Sequence, residues 1–407
     1  MIGNTMKEII YAIFLSFFLC GLCGNAEAKK KKEVKKSIKR EVQTPYDKLF
    51  KGKKAFTVNG LMKMHLMAGK VYAEFPIELL NRDLALTSSI EDISDNGEGV
   101  VGQFAGRVNQ FRFTLQDSML QARLVRRYGV KNTGMGKNAD QIIERSNTPG
   151  IFQSYKILAY TPDKKAVVVD MTELFLESSR LTNPFPSYAG NSLYGFVQRI
   201  HKFQSQRSEL LGICGNDNSM SVHCNLGFNV DRLVLGSFMQ AKDVPVSVTV
   251  NKILMLLPED PMRPRLADSR IGVNAIIQTE LPDVCQGIKT YYITKRWRIE
   301  PVDEIRYKQG EMVDVKKPIV FYIDTLMPDS WIKYVKAGAE AWNAAFEKIG
   351  LRNVVRTELF PKDSSFDAGD IHNSVIRYAP SWMYYPQYSM HTDPRTGEIL
   401  NASVYLP

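Results

Sequence analysis

The residues best suited to metal or acid–base chemistry in this sequence are five histidines: His65, His201, His223, His372 and His391. No two of them stand four residues apart, so no helix can offer paired imidazoles to a zinc ion. His223 and Cys224 are adjacent, and neighbouring side chains on a strand point to opposite faces, which argues against them as joint metal ligands. The stretch "DISDNGEG", 92–99, sets Asp92, Ser94 and Asn96 at alternate positions before Gly97, like the front of a calcium loop. Its twelfth position is Gln103 where a bidentate acid is needed, so it reads as a turn. "GVKNTGMGK", 129–137, has the composition of a phosphate loop but the wrong glycine spacing, and no Ser or Thr follows Lys137. There is no G-x-S-x-G. The residues alone assign no catalytic, cofactor-binding or metal position.

The elements that would have to position any chemistry fall into three regions. "TPYDKLFKG", 44–52, reads as a short helix or turn, and "GLMKMHLMAGKVYAEFP", 60–76, as a hairpin about Gly69. From about 98 to 290 β-branched and aromatic runs dominate, among them "NQFRFTLQ", "SYKILAYT", "KAVVVDMT" and "VPVSVTVNKILMLLP". "TELFLES" reads as a helical turn and "NSLYGFVQRIHKFQSQ", 191–206, as a helix or loop insertion. "KPIVFYID", 317–324, is a buried-strand run. The clearest helix follows, with Trp331, Val335, Ala339, Trp342, Phe346 and Ile349 on one face, Asp329 or Ser330 at its start and Gly350 at its end. Glu340 on that helix is placed to pair with Lys336. "NVVRTELF", "NSVIRYAP" and a run from Glu398 to Leu406 read as further strands.

The start of the chain is different in kind. Residues 1–28 carry a charged start at Lys7, an apolar run from Ile9 to Leu22 and an A-x-A end, which is the pattern of a secretory signal peptide. An uncleaved anchor or a lipid on Cys20 or Cys23 are the alternatives. "KKKKEVKKSIKR", 29–40, holds eight basic residues and one acid, so most of the formal charge of +10 is a property of this tail. It reads as a solvated, disordered segment, with contact to an anionic membrane surface as the sharper alternative. Nucleic-acid binding is not expected, because no folded basic face with interleaved aromatics is present. Cys214 and Cys224 either close a short loop by a disulfide or stay free with Cys285.

Five segments occur in a telling order: "KRWRIEP" (295–301), "KKPIVFYID" (316–324), "WIKYVKAGAEAWNAAFEKIG" (331–350), "NSVIRY" (373–378) and "DPRTGEIL" (393–400). Together they resemble the front of the catalytic domain of secreted zinc-dependent metallopeptidases of the metzincin-like kind. "GKVYAEFPIELLNRDLAL" (69–86) and "LMLLPEDPMRPRLADSRIGV" (254–273) resemble two uncharacterised modules that precede that domain in the same bacterial family. The resemblance implies an exported protein, periplasmic, cell-surface or extracellular, acting on peptides or proteins. In that family an H-E-x-x-H motif downstream of the "DPRTGEI" match supplies two zinc ligands and the general base. No residue of this sequence matches that motif, so zinc is expected for a complete family member and no catalytic, cofactor or metal residue carries over to this chain.

What carries over is structural. Ile399 to Leu406 is expected to be the edge strand at the upper rim of the substrate cleft, with Ile399, Leu400, Asn401, Ala402, Ser403 and Val404 pairing an extended peptide. The expected fold is α+β. It comprises a signal peptide (1–28), a basic tail (29–44), a small N-terminal α/β module (45–95), a β-rich domain (96–300) and the sheet and long helix of an incomplete zincin-like domain (301–407). The chain reads as the front part of a longer peptidase, inactive as written, with its last region left marginally stable. The competing reading is a non-catalytic exported binding or scaffold protein that holds a partner or glycan on residues 98–290.

Overall fold

The computed structural model describes residues 43–407 except 105–107, 126–129, 133–135, 178–180, 186–196, 235–237, 283–286, 363–365 and 381–385. The expected signal peptide, nearly all of the basic tail, and Cys285 lie outside the described residues.

Helix α1 (Pro45–Phe50) is short and depends on its cap: Thr44 accepts from the N–H of Asp47, and Asp47 accepts from that of Thr44. Strands β1 (Phe56–Val58), β2 (Lys63–Met67), β3 (Lys70–Pro76) and β4 (Leu84–Ile93) follow. The β2–β3 turn is made by Ala68 and Gly69, both at positive φ (52° and 71°), as a tight hairpin of this length requires. The middle of the chain gives β5 (Asn109–Gln116), β6 (Met119–Leu124), β7 (Val130–Asn132), helix α2 (Lys137–Ser146), β8 (Gly150–Tyr160), β9 (Ala166–Asp170) and helix α3 (Thr172–Leu176). Three long strands come next, β10 (Val197–Asn216), β11 (Ser219–Val234) and β12 (Phe238–Leu256), then β13 (Ala275–Leu281) and β14 (Lys289–Thr294).

Eleven of these strands form one antiparallel sheet in the order β1-β2-β3-β9-β8-β6-β5-β4-β12-β11-β10. Its inner face carries Phe75, Phe111, Phe113 and Leu120 in a core that also holds Phe175 of α3, Met64 near one end of the sheet and Ile213, Met220 and Val222 near the other. The sheet therefore curls round its own core until the ends approach, and Leu61 N donates to Asn216 O at 2.7 Å. Residues 45–95 share this sheet with the residues that follow: β3 pairs with β9 and β4 with both β5 and β12. The described part of 191–206 is corrected from helix or loop to strand. Residues 197–203 alternate between half-buried and exposed, and pairing with β11 along almost the whole strand sets the period to two.

The last hundred residues build α4 (Glu304–Lys308), β15 (Val313–Asp314), β16 (Ile319–Ile323), α5 (Asp329–Glu340), α6 (Asn343–Glu347), β17 (Leu351–Arg352), β18 (Val355–Leu359), β19 (Ser374–Tyr378), β20 (Gln387–Thr392) and β21 (Ile399–Leu406). Five strands make a second sheet in the order β18-β16-β19-β21-β20, parallel except for β20. The expected long helix is two helices separated by a turn at Ala341 and Trp342. Val335, Ala339 and Phe346 pack as expected, but the other three residues of the expected face do not. Ile332, Val335 and Ala339 meet Ile323, Met327 and Ile376, whereas Trp331, Trp342 and Ile349 are 42%, 67% and 56% exposed. Glu340 does not serve Lys336 as expected. It accepts from Thr357 Oγ1 at 2.5 Å and Thr357 N at 3.2 Å, tying α5 to β18.

The second sheet is covered on both faces. Val404 and Leu406 pack toward α5. On the other face His391, cross-strand from Asn401, reaches Thr87 of the large sheet at 2.6 Å. Leu400 adds contact with Ile253, Met255 and Leu257. The chain is a β-rich α+β protein.

Candidate functional site

The expected rim residues Ile399, Leu400, Asn401, Ala402, Ser403 and Val404 do not form a sheet edge. Strand β21 is parallel to β19 through Val375↔Ser403 and Ile376↔Val404, and antiparallel to β20 through Ser389↔Ser403 and His391↔Asn401. With both sides paired, its backbone has nothing left for a peptide, and most of its side chains are buried. The last strand in sequence is not the last strand in the sheet, because the turn after β20 folds the chain back between β20 and β19. That turn is closely specified. The carboxylate of Asp393 accepts from Arg395 N at 2.8 Å and Arg395 Nη2 at 2.7 Å, and Gly397 sits at φ 77°. A Cβ on Gly397 would run into the carbonyl oxygen of Thr294, so the glycine is needed twice over.

The edge is β20. Its inner neighbour is β21, and among the described residues no strand pairs with its other side. Tyr388 stands half exposed on it, its hydroxyl accepting from Asn274 Nδ2 at 2.8 Å. Ser389 Oγ is held by Tyr405 Oη at 2.9 Å. His391 is buried at the strand's end, stacked on Phe104, and burial pushes its pKa down to about 3, so it is neutral. Around the start of β21 a cavity of about 570 Å³ is lined by Trp297, Arg298, Tyr322, His372, Glu398 and Leu400. Burial raises the pKa of Glu398, with the charge of Arg298 opposing it, and Glu398 Oε2 has no hydrogen-bond partner.

A second constellation sits where the large sheet meets the loop from Phe366 to Asn373. The register places Gly212, His223, Asn251 and Ser89 in one row across β10, β11, β12 and β4, and so on one face. Glu91 joins them at a register shift, where Thr249 pairs with Asp92 and Val250 with Ile90 and no residue faces Glu91. The loop adds Asp367 from above. His223 Nδ1 is 3.0 Å from both oxygens of Glu91, and His223 Nε2 is 3.9 Å from Asp367 Oδ2. Burial pushes the His223 imidazole down, but the hydrogen bond and charge of Glu91 and the charge of Asp367 outweigh it, leaving the pKa raised. Burial raises that of Asp367, although the Gly369 N–H and His223 act the other way.

None of this group was legible in spacing. Glu91, His223, Asn251 and Asp367 come from four segments, united by cross-strand register and by the loop that brings Asp367. Cys224, the neighbour of His223 in sequence, has a buried side chain that takes no part in the group. The described Cys214 and Cys224 are both free, so the loop they bracket is not closed by a bridge. Strand pairing explains this: Cys214 lies opposite Ser221, while Cys224 lies opposite Leu210. The acids of 92–99 behave as a turn's do, with Asp95 accepting from Gly97 N at 2.8 Å and Glu98 buried against Arg232 and His201.

Residues 43–93 match the model of a domain of unknown function, DUF5118, and residues 102–302 match a second domain of unknown function, DUF5117. No curated protein and no solved structure is found to match the chain.

Proposed function

We propose that residues 295–407 are the peptide-docking front of a zinc-dependent, metzincin-like peptidase, and that the substrate adds in extended form to the free side of β20. One observation carries the reading. The antiparallel strand Gln387–Thr392 is the unpaired border of an otherwise parallel sheet, which is the surface that strand addition uses. The segments on which the resemblance rests also converge. β16 lies beside β19, the helices α5 and α6 cross behind them, and the "DPRTGEIL" turn is stitched to "KRWRIEP" by Arg296 N to Gly397 O at 3.0 Å and Ile399 N to Arg296 O at 2.8 Å. Arg296 thereby ties the stretch after β14 to the start of β21. The residues of this chain hold and orient a peptide; zinc and the base would come from the family's motif, which this sequence lacks.

Hydrogen exchange on the full chain with an unfolded casein substrate tests the docking surface. Protection confined to 387–392, with no cleavage, is the expected result. Protection on β10 to β12 instead would favour the scaffold reading. The coding sequence after Pro407 tests the family: an H-E-x-x-H stretch supports it, and unrelated sequence overturns it.

A further inference from the structure

We propose that Glu91, His223 and Asp367, with Asn251 as a fourth donor, bind one divalent first-row cation, zinc or manganese, which fastens the large sheet to the loop from Phe366 to Asn373. The site is separate from the zinc motif implied by resemblance and stands without it.

Four observations support it. One ligand atom from each of Glu91, His223 and Asp367 lies within 4.8 Å of the others, and each residue is partly shielded from solvent. One imidazole with carboxylate oxygens suits zinc or manganese better than calcium, which takes oxygen ligands throughout. Asn251 is fully buried in the same row. Its Nδ2 donates to Asp367 Oδ2 at 3.1 Å, while its Oδ1 has no partner among the described residues, an expensive state for a buried carbonyl oxygen. A cation beside Asp367 satisfies it.

The second coordination layer is in place as well. Asp367 Oδ1 accepts from Gly369 N at 2.7 Å, and Asn251 holds the other oxygen, so the carboxylate is fixed before any ion arrives. A Cβ on Gly369 would lie 3.1 Å from Asp367 Oδ1, 3.2 Å from Asn251 Nδ2 and 3.2 Å from Glu91 Oε1. The loop backbone therefore closes directly over the point where these groups meet. Gly212, at the end of the row, leaves open space beside His223.

Charge points the same way. The charges of Glu91 and Asp370 bear on Asp367, Asp370 is paired with His372 at 2.7 Å, and Arg377 brings one permanent positive charge toward Glu91 and Asp367. The two ligand carboxylates against one guanidinium leave room for a dication, and a neutral His223 is the form that binds it. Without a cation, the same atoms make an ion pair of protonated His223 with Glu91, and the experiment separates the two.

The full chain, stripped with a chelator and dialysed, is titrated with zinc, manganese and calcium chlorides in separate calorimetric runs at neutral pH. One equivalent of zinc or manganese should bind with proton release, calcium more weakly, and the unfolding midpoint should rise with the bound ion. His223→Gln and Asp367→Asn should each weaken binding more than about tenfold. Circular dichroism confirms folding in both, and Asp260→Ala, at a 94% exposed side chain, should leave affinity unchanged. The proposal is overturned by an absence of saturable binding, by native affinity in both ligand variants, or by calcium as the tighter ion.

Discussion

The imidazole of His391 lies flat on the ring of Phe104, centroids 3.7 Å apart and planes 8° from parallel, while its Nε2 meets Thr87 Oγ1 at 2.6 Å. One neutral ring thus joins β20 to the large sheet, and its Nδ1 has no partner. The folded-state pKa of about 3 lies below the ordinary 6.5, so the folded state resists protonation. The resulting stability is fully present above pH 6.5 and declines as pH falls toward 3. Between pH 6.5 and pH 5 the loss is about 2 kcal/mol. Thermal unfolding of His391→Gln should therefore fall less steeply with acidification than that of the native chain; parallel curves would refute the assignment.

Lys252 shifts in the same direction but in a higher pH window. Its ammonium is buried in the large sheet, donating to Glu177 O at 2.6 Å, and burial lowers its pKa to about 8 from 10.5. The folded form is penalised wherever the lysine must be charged, fully below pH 8, and the penalty fades as pH rises from 8 to 10.5. Lys252→Met should accordingly stabilise the chain at pH 7 by about 1–3 kcal/mol in urea titrations. A loss of stability of similar size would mean that the polar contacts of the ammonium outweigh its burial.

Gly397 offers a steric test. Alanine there would take a positive φ and collide with the Thr294 carbonyl, so Gly397→Ala should cost at least about 2 kcal/mol. Because the turn also holds Arg296, exchange protection should drop at 295–300 and 393–399 together. Unchanged protection in both would show that the turn does not carry the junction.

Thiol labelling checks the cysteines. Cys214 is exposed and Cys224 fully buried, with its thiol pKa pushed up to about 11 by burial. A maleimide should modify Cys214 in the native chain and reach Cys224 only after denaturation, and a reductant should leave the unfolding midpoint unmoved. A midpoint lowered by reductant would reveal a bridge.

Local signals survived the step from sequence to structure. Thr44 and Asp47 announce α1, Gly69 announces the hairpin, and the apolar run Ile319–Ile323 announces a buried strand. Information held between distant segments did not. The sequence of β21 is that of a strand, yet nothing in it says that β20 lies outside it. Trp331 and Trp342 share a helical face in the pattern, but a turn at Ala341 and a face chosen by Ile332 and Val335 leave both tryptophans exposed. Glu91 and His223 become neighbours only through the register of β4, β12 and β11, and Asp367 through a loop packed on that face, which no single stretch encodes.

The pairing of Leu84–Ile93 with the far end of Phe238–Leu256 also governs how the molecule is made. A ribosome must add the whole intervening stretch before β4 finds that neighbour, so nascent β4 waits with one bare flank. Such long-range closure is slow to fold, and the growing polypeptide passes through a stage prone to self-association.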